Sequence, residues 1–246
     1  MDKYSLYAAQ FLGFKEHFLP KGHNACKGCG VALAVRQVYK ALEGRGAALE
    51  KAAWQIPWQQ HTLSDEKTRA GAGNPTPASL TIQKPANKTG VLLICFDNET
   101  TDQGADTASL IKRLPGIAAA SGYNYAATAC PSHPFDLVEK IRAGWEHAGS
   151  AYVHVLCPCP VAWGFDPQNT VRIGRMAVET RLFPLYEIVG GYCTITCDDP
   201  NPRPLQEYIR AQERFASWSA KKIESLQQDA VAAFTALSER CRAGAA

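Results

Sequence analysis

The chain has no apolar run long enough to cross a bilayer, so no membrane-spanning helix is expected within it. The stretch from Met1 to Pro20 lacks the basic start, apolar core and small-residue cleavage site of a secretory signal. A cytoplasmic location is therefore expected. Formal net charge is only +3 over 246 residues, which gives no electrostatic reason to expect nucleic acid or a membrane surface as a partner. No internal repeat and no low-complexity segment occur, which argues against a solenoid or a disordered linker.

The composition, 46% hydrophobic and 20% charged, is that of a globular chain able to bury a sizeable core. The length suits one large domain or a domain and a half. We place an α/β domain over residues 1–204 and a helical extension over 205–246. Nine cysteines are present. In a chain with no visible secretion signal they point to a reducing compartment, where thiols stay free or bind metal, and an odd count fits poorly with a complete disulfide framework.

Two cysteine motifs concentrate the chemistry. The first is Gly22-His23-Asn24-Ala25-Cys26-Lys27-Gly28-Cys29-Gly30, and the second is Cys157-Pro158-Cys159-Pro160. Thiolates at C-x-x-C spacing can grip one metal centre from a single tight turn, and Gly28 and Gly30 allow a close approach of backbone to a bulky ligand. The downstream pair could close the same centre, as zinc or as an iron–sulfur cluster. A redox dithiol, or two unrelated buried pairs of small apolar residues, would give the same spacing.

The pattern along the chain alternates between helix and strand. Val31, Val35, Val38 and Leu42 mark one face of a helix over 31–42, so the cysteine turn leads into a helix N-terminus, where free N–H groups favour thiolates. Val91 to Phe96 reads as a parallel strand buried on both faces, delivering Asp97 and Asn98 at its C-terminal edge. Further strands are expected over 123–129 and 151–156, and helices over 134–148 and 170–180. An interrupted helix is expected over 110–121. Leu185–Val189 and Tyr192–Thr196, joined by Gly190-Gly191, form a hairpin. The expected fold is α/β, a mainly parallel sheet with helices on both faces. After a proline-rich break at 198–204, a helix in one or two pieces carries the apolar stripe Ile223, Leu226, Ala230, Ala233, Phe234 and Leu237. That stripe could pack on its own domain or on a partner subunit.

Several landmarks fall in one order: Gly22-His23 with Cys26-Lys27-Gly28-Cys29-Gly30, Ala53-Trp54-Gln55-Ile56-Pro57-Trp58, Ile94-Cys95-Phe96-Asp97-Asn98-Glu99, Tyr152 to Pro160, Trp163-Gly164-Phe165-Asp166-Pro167, Ala177-Val178-Glu179-Thr180 and Phe183-Pro184-Leu185-Tyr186-Glu187. Taken together they resemble the beta subunit of the 2-oxoacid:ferredoxin oxidoreductases, from Gly22 to about Phe215. The resemblance implies a thiamine diphosphate-binding fold, here shortened. It also implies the diphosphate half of a thiamine diphosphate–magnesium site and a 4Fe-4S cluster that takes electrons from it. Thiamine stabilises the carbanion left when a 2-oxoacid loses carbon dioxide. By resemblance Cys26, Cys29 and Cys159 are cluster ligands.

The sequence departs from that family in three places. The segment that should supply a further cluster cysteine, between the first helix and Trp54, is missing. Cys157 could substitute, because residues i and i+2 of an extended strand share one face. No Gly-Asp-Gly motif, the family's magnesium aspartate, occurs anywhere; the stretch 79–90 offers Lys84 and Lys88 but no carboxylate. The loop after Asp97-Asn98-Glu99 reads Thr100-Thr101-Asp102-Gln103-Gly104, where Asp102 and Gln103 could still offer oxygens to magnesium. Candidate cofactor contacts are therefore Asp97, Asn98, Asp102, Gln103 and Gly104, with Gly28, Gly30 and His23 around the cysteine turn; His23 could donate a hydrogen bond to a thiolate.

Three functions fit these residues. The first is a beta subunit of a heteromeric 2-oxoacid:acceptor oxidoreductase, partnered by an alpha and other subunits and passing electrons to ferredoxin or a flavin subunit. The second is a non-catalytic beta-like subunit, structural or electron-relaying, without thiamine. The third is a zinc-bound interaction module.

Overall fold

The architecture comes from a computed structural model, which describes residues 25–42, 78–84, 89–99, 116, 118–119 and 121–244. Helix α1 (Gly30–Leu42) opens the described fold, followed by strands β1 (Ala78–Gln83), β2 (Val91–Asp97) and β3 (Tyr125–Ala129). Helix α2 (Pro134–Glu146), strand β4 (Ala151–Leu156), the short helix α3 (Pro160–Trp163) and helix α4 (Thr170–Glu179) come next. The hairpin strands β5 (Leu185–Val189) and β6 (Tyr192–Cys197) precede helices α5 (Leu205–Arg210) and α6 (Ala220–Ala243).

The six strands form one sheet in the order β1-β2-β4-β3-β5-β6. β2, β4 and β3 run parallel, and antiparallel strands flank them on both sides. The sheet is thus a parallel centre with antiparallel margins. The margin strand β1 is not among the strands expected from the sequence. Its alternation is nonetheless visible, since Leu80 and Ile82 are buried while Ser79, Thr81 and Gln83 are exposed.

Alternation also governs the centre. Leu92, Ile94 and Phe96 of β2, Ala151, Val153 and Val155 of β4, and Tyr125, Ala127 and Ala129 of β3 all face α1 and α2. Those helices answer with Val31, Val35 and Val38, and with Leu137, Ile141 and Trp145. The expectation that the strand from Val91 is buried on both faces is corrected: on its other face Leu93 and Cys95 are only half-buried, and burial is complete only at Asp97. A strand followed by a polar turn can be apolar throughout and still bury one face.

A second core gathers Leu156, Trp163, Ile173, Met176 and Ala177 with Leu205, Ile209, Leu226 and Ala230. It joins α4, α5 and α6 to the end of β4. Of the apolar stripe on α6, Leu226, Ala230 and Phe234 are buried and Ile223, Ala233 and Leu237 half-buried, all within this chain. Ser219 caps the helix, its hydroxyl accepting from Lys222 N at 3.3 Å. The expected helical extension is two helices, α5 and α6, linked by a single 3₁₀ turn at Glu213–Phe215.

One pairing departs from the expectation that the thiols stay free or bind metal. Cys193 of β6 and Cys241 in the last turn of α6 form a disulfide. Beside it Tyr186, Ile188, Ile195 and Leu237 make a small third core, which fastens α6 over the sheet margin. At the opposite end of β6, Lys140 of α2 is buried with every ammonium proton used. It donates to Thr128 O at 2.8 Å, Asp136 Oδ2 at 2.9 Å and Thr196 Oγ1 at 2.7 Å. Loss of hydration lowers its pKa, and Asp136 pulls the other way.

Among the described residues, no helix is long and apolar enough to cross a membrane. The expected helix over 110–121 lies outside the described residues except at 116, 118 and 119, which are helical, and 121, which is in a turn.

Candidate metal and cofactor site

The two cysteine motifs meet. Cys29 N donates to Cys26 O at 3.2 Å, closing the turn, and Gly30 N donates to Pro158 O at 3.1 Å, joining it to the segment after β4. Both glycines are sites of close backbone approach. A Cβ on Gly30 would stand 2.5 Å from Pro158 O. Gly28 adopts φ +67°, and a Cβ there would stand 2.5 Å from Pro167 O. Thr170 Oγ1 donates to Gly28 O at 2.7 Å, so the N-terminus of α4 pins the turn from a third side.

Two of the thiols sit at helix N-termini. Cys29 immediately precedes α1 and receives hydrogen bonds from the backbone of Ala32 and Val31. Cys159 caps α3, its sulfur accepting from Ala162 N at 3.5 Å. Burial nevertheless dominates: it raises the Cys29 thiol and pushes Cys159 up to about 11, while the backbone donors pull both down. Cys26 and Cys29 lie close enough to Cys159 for their charge to add to that rise. Cys29 and Cys159 are thus N–H-supported sulfurs on two segments near enough to feel one another's charge, donors of the type a soft metal takes as thiolate. Among the described residues, no group of three or more His, Cys, Asp or Glu side chains converges closely enough to hold a metal ion as it stands.

Cys157 takes a different direction. It is fully buried in the α1–α2 core, and its thiol donates to Val155 O at 3.5 Å. Cys159 belongs to the second core. The shared-face argument needs the strand to continue, but β4 ends at Leu156 and the proline-flanked segment turns into α3. The two sulfurs thus belong to different cores, although Cys29, like Cys157, packs against the first.

The corner after β2 is closed upon itself. Asp97 is 4% exposed; its Oδ1 accepts from Glu99 N at 2.9 Å. Its Oδ2 lies 3.1 Å from Nε2 of buried His154, a close contact that falls short of a hydrogen bond. Nδ1 of the same ring meets Tyr152 OH at 3.1 Å. The Asn98 carbonyl accepts from Trp163 Nε1 at 2.7 Å. Glu99, at φ +50°, pairs with Arg214, Oε2 to Nη2 at 3.0 Å. Arg214 is in turn stacked 3.9 Å over the Trp163 ring and 4.4 Å over Phe215, and its Nε donates to Gln212 Oε1 at 2.9 Å.

A magnesium diphosphate needs free carboxylate and carbonyl oxygens. Of the oxygens named above, Asp97 Oδ1, the Asn98 carbonyl and Glu99 Oε2 have protein partners, while Asp97 Oδ2 has the 3.1 Å contact with His154 that falls short of a hydrogen bond. Lys84, one of the two cations noted before β2, is also engaged, donating to His147 O at 2.7 Å and Gly149 O at 2.6 Å at the end of α2. Sequence reasoning missed Arg214, Trp163 and His154 as members of this corner. His154 and Trp163 stand within the ordered landmarks, whereas Arg214 stands in none of them. His23, Asp102, Gln103, Gly104, Lys88 and the Trp54–Trp58 motif lie outside the described residues.

No family model matches the chain. Curated relatives do. The chain is 32% identical to "Pyruvate synthase subunit PorB" of Methanothermobacter thermautotrophicus, over 87% of this chain and 95% of that protein. It is 27% identical to the protein of the same name from Thermotoga maritima, over 84% and 85%. It is 25% identical to "Ketoisovalerate oxidoreductase subunit VorB" of Pyrococcus furiosus, over 87% and 90%. The alignment with the Methanothermobacter protein has 273 positions but spans 87% of 246 residues, about 214, so about 59 positions have no residue in this chain.

Proposed function

This chain belongs to the beta subunits of the 2-oxoacid:ferredoxin oxidoreductases, and on that premise we propose that it works as the electron-relaying subunit of such a heteromeric complex. Its thiol junction would hold an iron–sulfur cluster. Cys26, Cys29 and Cys159 would be the protein ligands, with the N–H groups of Ala32 and Ala162 supporting the sulfur charge. When bound, the cluster would supply one-electron chemistry between the site of 2-oxoacid decarboxylation and an external acceptor, ferredoxin or a flavin subunit. The substrate class is a 2-oxoacid, in keeping with the pyruvate and ketoisovalerate named for the relatives.

The observation that carries this reading is the Gly30–Pro158 junction, which brings a C-x-x-C turn against a distant cysteine motif at a glycine whose Cβ would strike Pro158 O. The chain's own residues contribute rigidity to that junction. Thr170 and Pro167 hold the turn, and Trp163 ties α3 to the end of β2. Reorganisation on electron transfer is kept small when ligand segments are fixed by backbone hydrogen bonds and close packing.

The test is anaerobic purification with native partners, followed by iron, sulfide and zinc quantification per chain. Iron and sulfide together with co-purifying subunits are the expected result. Zinc in place of iron, or a chain that isolates without partners or metal, would overturn the proposal.

A further inference from the structure

Helix α4 carries its cations at the end where they are least favoured. A helix N-terminus has the field of a partial positive charge and prefers acidic side chains in its first turn. The first turn of α4 holds no acid. It holds Arg172 instead, and Arg175 follows three residues later on the same side. Both are exposed, and with Val171, 40% exposed, they are all the fully exposed residues of this helix. The same end of α4 pins the cysteine turn, because Thr170 Oγ1 donates to Gly28 O and Gly28 lies against Pro167. That turn adds a third exposed cation, Lys27, and leads into α1, whose first turn also lacks an acid. We propose that this face, Lys27 with Val171, Arg172 and Arg175, is the docking surface for a small acidic electron-carrier protein that serves the thiol site. The surface presupposes the electron-relaying reading and adds to it the place and the charge of the partner.

The three cations are uncommitted: among the described residues, none of them has an ion-pair partner. The carboxylates around them are engaged elsewhere. Asp166, exposed beside Pro167, accepts from Gln168 N at 2.9 Å. Arg175 overlooks a cavity between α2 and the hairpin, and there Asp136 holds Lys140, Glu187 holds Tyr125, Glu179 holds Arg203, and Glu139 is engaged as well. Whole-chain formal charge is only +3, so three exposed cations around one turn are a local concentration. Exposed cations are screened by water from a buried thiolate and act mainly outward. Together with two helix N-termini they give the face one sign of field, which steers an acidic protein toward it. Val171 and Pro167, both exposed, supply apolar surface beside the charges. Cys26 is half-buried next to exposed Lys27, so a carrier seated here lies against the turn that bears Cys26 and Cys29.

The decisive experiment titrates a small acidic ferredoxin, fully oxidised, into the purified complex and reads binding by calorimetry. No 2-oxoacid is present, so turnover contributes nothing. The double variant Arg172→Glu with Arg175→Glu should bind at least about tenfold more weakly than the natural complex at low salt. The two affinities should converge to within about twofold near 0.5 M salt, where screening shortens the reach of these charges. Arg172→Gln with Arg175→Gln, which removes charge without reversing it, should fall between them. Iron per chain, co-purifying subunits and melting temperature should be those of the natural complex in both variants, because the substituted side chains are exposed. Equal affinities at low salt, or no binding by the natural complex, would overturn the proposal. Loss of a co-purifying subunit from a variant that melts normally would also overturn it, since the face would then be a contact between subunits. Failure of the electron-relaying reading shows separately, as a natural complex without iron, whatever the ferredoxin affinities.

Discussion

Gly30 N donates to Pro158 O at 3.1 Å, and a Cβ on Gly30 would stand 2.5 Å from that same oxygen. The hydrogen bond and the missing side chain are one device, because the bond forms only where no methyl group intervenes. It sets the spacing between the first cysteine motif and the second, and that spacing decides whether three sulfurs can serve one centre.

Gly30→Ala is therefore predicted to act on the site more than on the fold. Its backbone is helical rather than left-handed, so alanine carries no conformational penalty and gains helix propensity. The cost comes from pushing the two segments apart, roughly 1–3 kcal/mol as for other overpacked sites. Chemical denaturation should show a loss of that size, and iron content per chain should fall by more than half.

The disulfide between Cys193 and Cys241 spans 48 residues and fastens the end of α6 to β6. Closing a loop of that length is worth on the order of 2–4 kcal/mol through the unfolded chain. Cys241→Ser should lower the melting temperature measured without reductant by about 5–15 °C. Dithiothreitol should lower the natural protein by the same amount and leave Cys241→Ser unmoved. Equal melting of both proteins under oxidising conditions would show that the pair does not contribute.

Cys130 gives the chain an alkaline limit. Its thiol is fully buried, and loss of hydration pushes its pKa from 9.0 up to about 11, opposed by hydrogen bonds from Ser132. Below about pH 9 the thiol is protonated in folded and unfolded chains alike, and its contribution is fully present. As pH rises from about 9 through 11, the unfolded chain releases a proton that the folded chain keeps, so stability is lost. The loss approaches about 2 kcal/mol at the upper end. Cys130→Ala should flatten that part of the profile, measured as urea midpoints at pH 8, 9, 10 and 11.

Much of the framework was legible because burial follows period. Val31, Val35 and Val38 announce α1, the run from Val91 announces β2, and Gly190-Gly191 announces the hairpin. β1 was passed over because Leu80 and Ile82 are only two apolar positions among polar neighbours, too short a pattern to separate from a loop. The Cys193–Cys241 pair was invisible because no spacing rule reaches across a helix and a strand margin. The closed corner was half legible: Asp97 and Glu99 stand out in sequence, whereas Arg214 is one of many cations and acquires meaning only when the chain brings it back over Trp163.

The cysteines near the junction should divide into two groups when replaced by serine. Cys29 and Cys159 point their sulfurs at helix N-terminal N–H groups, and Cys26 completes the turn beside them. Cys157 points into the α1–α2 core and donates to Val155 O. Serine at 26, 29 or 159 removes a thiolate donor, and iron per chain should fall at least fivefold with the visible absorption of the anaerobic complex. Serine at 157 exchanges a buried thiol for a more polar hydroxyl at the same site, costing about 1–2 kcal/mol of stability. It should leave iron content and the spectrum unchanged. If Cys157→Ser also empties the protein of iron while melting normally, then the segment after β4 must turn both sulfurs to the cluster, and Cys157 is a ligand after all.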